Sequence, residues 1–112
     1  MMVEATNEFC FVYSTYPSKD LALQAARMLV DKKLAACVNI YPPMHSVYEW
    51  QGKLESGPEV AAFIKTRRNC VEAVMTMARP LHPYATPCFL VLPIAAGNSD
   101  YLAWARDQTK GQ

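Results

Sequence analysis

The side chains in this sequence best suited to hold a metal ion are two histidines and two of the four cysteines. They are Cys37, His45, His82 and Cys88. Imidazole and thiolate are the ligands that copper and zinc favour in proteins. No two of these residues stand at a recognised short ligand spacing, so one chain shows no complete site. We expect ligands from several copies of the chain to be needed to hold a soft ion.

Each of these residues also has a structural interpretation. Cys37 belongs to an alternating apolar segment, and free cysteine is among the most frequently buried residue types. Cys10 and Cys70 are expected to be core residues for the same reason. His82 lies on a proline-rich loop, where polar side chains often serve binding. His45 is equally consistent with a solvated strand edge.

A second group of residues suggests a pocket for a small ligand. Lys65 and Arg67 fall on one face of their strand, because side chains alternate along a strand with a period of two. Tyr84 and Trp50 could join them at a boundary between subunits. Basic groups with aromatic walls suit an anionic metabolite. Trp50 could instead anchor an interface by packing, since aromatic residues are enriched there.

No catalytic signature accompanies these groups. The sequence contains no H-E-x-x-H, P-loop, G-x-G-x-x-G or Ser-His-Asp order. Cys37 and His82 could in principle supply a nucleophile and a base, but nothing in the sequence places them together. We therefore expect a binding protein and not an enzyme, with no obligatory cofactor and with copper or another divalent metal ion as a candidate ligand.

The composition indicates a single domain over residues 1–112. Hydrophobic residues make up 52% of the chain, which is enough for a real core. A net charge of +1 gives no reason to expect nucleic acid or an anionic membrane as a partner. No window approaches the roughly 20 apolar residues of a membrane span, and residues 1–8 lack a signal-like apolar stretch. We expect a cytoplasmic protein whose residues 1–8 form a flexible N-terminus.

Hydrophobic periodicity predicts the element order β-α-β-β-α-β followed by a last helix. Residues 9–15 alternate as a strand, and Ser18 is placed to cap the first helix. Asn69 and Asn98 are placed to cap the two later helices. The apolar run at 88–94 is typical of a strand covered on both faces or at a subunit contact. This order predicts an α+β, ferredoxin-like fold, with helices on one face of an antiparallel sheet.

A β-hairpin that turns at residues 51–53 constrains the architecture most. Its entering strand begins near Leu34 and its leaving strand ends near Arg67, with interruptions at Pro42-Pro43 and Gly57-Pro58. Strands usually have about five or six residues, so these are unusually long. Proline cannot donate to the ladder and therefore requires a bulge or an edge position.

The sheet face opposite the helices predicts that the chain forms an oligomer. No helix of the chain is expected there, so water would reach apolar strand residues, namely Ala36, Val38, Ile40 or their neighbours. A large exposed apolar face marks an interaction surface. We expect a trimer or a dimer of this chain to bury it.

Five motifs in series resemble the CutA family, the divalent-cation-tolerance proteins. The first two are the runs at 33–39, Lys-Leu-Ala-Ala-Cys-Val-Asn, and at 46–53, Ser-Val-Tyr-Glu-Trp-Gln-Gly-Lys. The others are Ile-Lys-Thr-Arg at 64–67, Leu-His-Pro-Tyr at 81–84 and Gly-Asn-Ser-Asp-Tyr-Leu-Ala-Trp at 97–104. They stand in the family's order and cover nearly the whole chain from residue 9 to residue 109.

The resemblance implies a ferredoxin-like subunit with a long central hairpin and an extra C-terminal helix. It also implies a tight homotrimer in which the hairpins join neighbouring sheets, similar in architecture to the PII signalling trimers. Members of the family are associated with tolerance to copper and other divalent metals and are described as copper-binding. A small-anion-binding signalling trimer, or a scaffold without a metal function, is the alternative.

One stretch departs from the family's pattern. After His82-Pro83-Tyr84 the family usually carries Glu, an apolar residue, Pro and another Glu, but here Ala85 and Cys88 replace the two acids. A site that relied on those carboxylates would be weakened. A site built from soft ligands would be strengthened for Cu(I) or Zn(II).

Overall fold

The computed structural model describes residues 1–110, and these form seven strands and three α-helices. The strands are β1 (Val3–Ala5), β2 (Phe9–Tyr16), β3 (Cys37–Ile40), β4 (Met44–Trp50), β5 (Lys53–Arg67), β6 (Leu90–Pro93) and β7 (Ala96–Asn98). The helices are α1 (Lys19–Asp31), α2 (Val71–Ala78) and α3 (Ser99–Gln108), and short 3₁₀ turns flank α2 at Arg68–Cys70 and Arg79–Leu81. The α+β class and the order of the elements follow the expectation.

Five antiparallel strands form the main sheet, and β5 is its longest member. The strand order is β3-β5-β2-β6, and β4 pairs with the first part of β5. The central pair β2–β5 runs in register from Phe9 opposite Arg67 to Tyr16 opposite Val60. Both halves of the predicted ribbon, β3 and β4, therefore hydrogen-bond to one continuous strand.

Helices α1 and α2 cover one face of this sheet and enclose the core. Ser18 caps α1 as predicted, because its side chain accepts a hydrogen bond from the Leu21 amide. The sheet contributes Val12 and Ile64 to the core, and the helices contribute Leu29 and Val74, each at most 1% exposed. Burying an aliphatic side chain of this size contributes roughly 1.5–3 kcal/mol, so this layer holds the two helices on the sheet.

The opposite sheet face carries an aromatic cluster that lies partly in solvent. Phe63 is at its centre, with ring centroids 5.2 Å from Tyr13, 5.1 Å from Tyr41 and 6.0 Å from Phe11. We call Phe11, Tyr13, Tyr41 and Phe63 the aromatic face. Tyr41 is 55% exposed, so the expected uncovered apolar surface is present.

Two details of that face differ from the prediction. Ala36 is buried, and Val38 and Ile40 pack against the core on the helix side. Their neighbours, beginning with Cys37 opposite Lys65, are the residues on the uncovered side. In addition, α3 covers one end of this face, where Leu102 packs with Phe9.

The hairpin has one interruption and not two. Between the pairs Ile40–Ala62 and Met44–Glu59, residues 41–43 stand opposite residues 60–61, and this extra residue is the bulge expected at the prolines. The predicted break at Gly57-Pro58 is wrong, because β5 runs through it, with Ser46 opposite Gly57 and His45 opposite Pro58. Proline fits there because β4–β5 is a two-stranded ribbon with free edges.

The hairpin turn is tight and has two residues, Gln51 and Gly52. Their φ angles are 51° and 79°, both positive. Positive φ at both central positions is the signature of the type I′ turn, whose twist matches that of antiparallel strands. The turn therefore fixes the register from Trp50 opposite Lys53 down the ribbon.

Three local expectations are corrected. The N-terminal residues contain a strand, since β1 pairs with β7 through Val3–Asn98, Glu4–Gly97 and Ala5–Ala96. The segment 88–94 is not covered on both faces, because β6 is an edge strand whose residues are exposed in the single chain. Asn69 does not cap α2, since a 3₁₀ turn precedes that helix and Cys70 occupies the N-cap position without a side-chain bond.

Candidate functional site

His82 is a buried structural residue, 5% exposed, and both of its ring nitrogens are engaged. Nε2 lies 2.7 Å from the carbonyl oxygen of Thr15, and the backbone N–H of Tyr84 donates to Nδ1 at 3.2 Å. This pattern requires a neutral ring with the proton on Nε2. Burial lowers the pKa of His82, and the bond to Thr15 only partly offsets that. Metal binding would break one of these bonds, so the structure argues against His82 as a ligand.

The other three proposed metal ligands lie in separate places. Cys37 is half-buried on the sheet, where its Sγ is 4.0 Å from the Asn39 side chain. Cys88 is half-buried in the loop before β6, and burial raises its pKa. His45 is exposed on the hairpin. Within residues 1–110, no three histidine, cysteine or acidic side chains are grouped so that they could hold one metal ion.

The two remaining cysteines are core residues, as expected. Cys10 is fully buried, which raises its pKa, and Cys70 is 5% exposed. All four cysteines are free thiols.

Arg67 belongs to a structural network at the end of β5 and is not free to bind a ligand. Its Nε donates to the Thr109 hydroxyl at 2.9 Å, and a second nitrogen donates to the Thr109 carbonyl. Its Nη1 also pairs with Glu8 at 3.3 Å. Arg106 donates to both oxygens of Glu8, and these bonds lower the pKa of Glu8 despite partial burial. The network fastens α3 to the sheet.

Lys65 lies near the same end, with its Nζ 5.6 Å from the centroid of the Tyr101 ring. The residues beside it include Phe11 and Leu102, which line a small cavity of about 170 Å³ beneath α3. Neither Lys65 nor Arg67 lines the cavity that contains Tyr84 and Trp50. The predicted combination of two basic groups with these aromatic walls is therefore not formed within one chain.

Tyr84 and Trp50 do come together, at a cavity of about 450 Å³ between the hairpin and the loop that follows α2. We call this space the hairpin cavity. It is also lined by Tyr48, Glu59 and Cys88. The Tyr84 hydroxyl donates to Oε2 of Glu59 at 2.6 Å and so joins the loop to β5. Burial and this bond raise the pKa of Tyr84, which keeps the hydroxyl protonated at neutral pH.

Glu59 is the residue of this cavity that the sequence did not indicate. Its partner Tyr84 is 25 positions away, and no pattern of spacing links the two. The substitution of the family's acids by Ala85 and Cys88 was the nearest available signal, since it pointed to the same loop. Both of those residues line the cavity.

No helix among residues 1–110 has the length and apolar character needed to cross a membrane.

Comparison with known proteins places the chain in a family. The family model described as "CutA1 divalent ion tolerance protein" matches residues 10–108. "Protein CutA" of Homo sapiens is 42% identical over 98 residues, which are 88% of this chain and 55% of the human protein. The chain thus spans about half the length of that relative. "Divalent-cation tolerance protein CutA" of Thermus thermophilus is 41% identical over 98 residues, 88% of this chain and 95% of that protein.

Solved structures agree with the sequence relatives. The structure of CutA from Synechococcus elongatus has a TM-score of 0.92 at 31% identity, and the match covers 97% of this chain and 96% of that one. The periplasmic divalent cation tolerance protein CutA from Archaeoglobus fulgidus has a TM-score of 0.88 at 38% identity, covering 91% and 99% of the two chains. On this combined likeness of sequence and structure, the chain belongs to the CutA1 divalent ion tolerance family.

Proposed function

We propose that this chain works as a homotrimer of ferredoxin-like subunits. The aromatic face supports this, because it is apolar, partly exposed and continuous with β6, whose residues Leu90 and Leu92 are 58% and 41% exposed. The hairpin supports it as well. It lengthens the molecule to 48 Å against 26 and 22 Å in the other directions, and it carries an exposed Trp50 near its tip. A neighbouring copy would bury both surfaces.

We further propose that the trimer acts in tolerance to divalent metal ions by binding a soft ion such as copper. The ligands are Cys37, Cys88 and His45, each accessible at least in part, and they come from more than one copy. The observation that carries this proposal is the membership in the divalent ion tolerance family, together with two half-buried free thiols outside the core. His82 is left out because both ring nitrogens already have partners.

The test is a titration of the assembled protein with Cu(I), Cu(II) and Zn(II), read by native mass spectrometry. The expected result is a fixed number of ions per trimer that falls in Cys37→Ser or in Cys88→Ser. Cys10→Ser is the matched control, since that thiol is fully buried. A stoichiometry that stays the same in the Cys37→Ser, Cys88→Ser double variant would remove these residues from the proposal.

The tolerance role needs a second measurement in cells. A strain that lacks this protein should become more sensitive to copper, and the wild-type gene should restore growth while the double cysteine variant should not. If the wild-type gene and the double cysteine variant restored growth equally, tolerance would not depend on metal binding at these thiols.

We propose a cytoplasmic location on the basis of the four free thiols, because reduced cysteines are the rule in reducing compartments. Fractionation of cells with an antibody to the protein checks this.

A further inference from the structure

The hairpin cavity has a chemical character that neither metal tolerance nor the anionic-ligand hypothesis uses. Its volume of about 450 Å³ lies within the range of small-molecule sites. Most of its wall is aromatic or apolar, and the polar groups are few. Such a combination of shape and lining is typical of a pocket for a small ligand with an apolar body.

The charge of the cavity is negative. Among its lining residues, within the part of the chain that the structure describes, Glu59 is the only one of the types Asp, Glu, Lys, Arg or His. The nearest basic group of the loop, Arg79, is held by the carbonyl oxygen of Ala85 at 3.1 Å and does not line the cavity. The carboxylate of Glu59 would therefore repel an anion in this cavity.

Glu59 keeps one oxygen for a ligand. Its Oε2 accepts the hydrogen bond from Tyr84, which also fixes the orientation of the carboxylate. Its Oε1 has no partner among residues 1–110 in the single chain. A carboxylate that is held in place at the edge of an apolar space and is not paired with a basic residue attracts a cation.

Aromatic rings form part of the wall beside this carboxylate. The Tyr84 hydroxyl donates to it, and Tyr48 lies close enough to Tyr84 to raise the pKa of Tyr84. Trp50 lines the cavity farther along the hairpin, since it pairs with Lys53 while Glu59 pairs with Met44. Aromatic faces attract organic ammonium ions through the negative charge of the ring face, and tryptophan and tyrosine do so best. Within one chain, the cavity offers a metal ion only one carboxylate and one thiol, which do not make a complete ligand set.

We infer that the hairpin cavity binds a small organic ammonium ion, with its charge against Glu59 and its alkyl groups against the part of the wall formed by Tyr84 and Tyr48. This site is separate from the thiols proposed for metal binding, except that Cys88 forms part of its wall. This ligand is a cation, whereas Lys65 and Arg67 suggested an anion.

The experiment compares three isosteric probes on the assembled protein by calorimetry and by Trp50 fluorescence. Choline carries the charge, 3,3-dimethylbutan-1-ol has carbon in place of the nitrogen, and 3,3-dimethylbutanoate has the opposite charge. We expect choline to bind at least about fivefold more tightly than the neutral alcohol, a factor within the range of cation–π attraction. The carboxylate should bind more weakly than the alcohol.

Two variants and a control locate the site. Glu59→Gln should reduce the preference for choline over the neutral alcohol, because the negative charge is lost. The glutamine side chain can still accept the bond from Tyr84, so the loop should keep its position. Tyr48→Leu should weaken choline several-fold, and its effect on folding should be small because Tyr48 is 51% exposed. Glu49→Gln, an exposed change on the opposite face of the hairpin and outside the lining, should leave choline binding as in the wild type.

The inference is overturned if choline and the alcohol bind equally well to the wild type, or if neither binds. It is also overturned if Glu49→Gln has the same effect as Glu59→Gln, or if only Zn(II) or Cu(II) binds in the cavity. If the cysteine variants lost metal binding but still bound choline, the metal site and the ammonium site would be independent of each other.

Discussion

The Tyr84 hydroxyl and the Glu59 carboxylate are 2.6 Å apart, and this single hydrogen bond connects the loop after α2 to the hairpin. The same loop is held from behind, where the Tyr84 amide donates to His82. The orientation of Glu59 therefore depends on the position of His82, two residues away from its partner.

Removal of this bond should cost stability. In Tyr84→Phe the ring remains but the donor is lost, and a hydrogen bond to a charged group contributes about 1.5–3 kcal/mol. We expect a loss of about 1.5 kcal/mol in the free energy of unfolding, measured by urea denaturation. Tyr101→Phe is the control, since no hydrogen bond of that hydroxyl is present within residues 1–110. Equal midpoints for the two variants would contradict this.

Stability should fall as the pH drops from 7.5 towards 5. The pKa of His82 is lowered on folding by burial, so the unfolded chain, with an ordinary histidine pKa of about 6.5, binds the proton more tightly. The contribution of His82 is complete above the unfolded pKa and is lost as the pH falls below it. Urea midpoints across this range should change less in His82→Gln.

His45→Gln is the matched control for that series, because His45 is exposed. Its pH profile should follow the wild type. If His45→Gln flattened the profile and His82→Gln did not, the assignment of the proton to His82 would be wrong.

A second pH effect should appear in the acid range. Arg106 and Arg67 hold the pKa of Glu8 below its usual range, so its contribution is present above the unfolded pKa of about 4.3 and is lost as the pH falls through the folded pKa. Between pH 6 and pH 3 the wild type should lose more stability than Glu8→Gln, as measured by thermal unfolding at low salt. Glu49→Gln, an exposed change on the hairpin, should behave as the wild type. The difference should shrink at high salt, because the pairs are partly exposed.

The aromatic face should govern assembly. Phe63→Glu puts a carboxylate at the centre of that face. Burying this charge in an interface without a basic side chain to pair with it is strongly unfavourable. Sedimentation should then show monomers, whereas we expect trimers for the wild type. Met77→Glu, on the exposed side of α2 and 37% accessible, should remain trimeric. Trimers of Phe63→Glu would show that this face is not the contact.

The elements were predictable where local chemistry decides them. Alternation identified β2, the cap at Ser18 marked the start of α1, and the proline pair marked the bulge. Gly57-Pro58 misled because the consequence of a proline depends on whether its strand has a neighbour on that side. Whether such a neighbouring strand exists is decided by the tertiary structure and cannot be read from the local sequence. The strand at Val3–Ala5 was missed for the same reason, since three residues form β1 only because β7 is beside them.

The site was less predictable than the fold. Residue types correctly separated Cys10 from the accessible thiols, and the loop after α2, which we expected to serve binding, lines the hairpin cavity. The period of two correctly put Lys65 and Arg67 on one face, but it could not reveal that Tyr101, Glu8 and Thr109 already occupy them. His82 looked like a ligand because its sequence position shows neither of its two hydrogen-bond partners.

Strand β5 begins directly after the turn at Gly52 and carries the carboxylate of Glu59 on one unbroken backbone of 15 residues. Strands β4 and β5 are paired along the whole hairpin, so we expect the hairpin to move as one rigid unit. A protein that binds its tip would then displace this wall of the hairpin cavity as well. Binding of a ligand in the cavity and binding of a protein at the tip should therefore change each other's affinity.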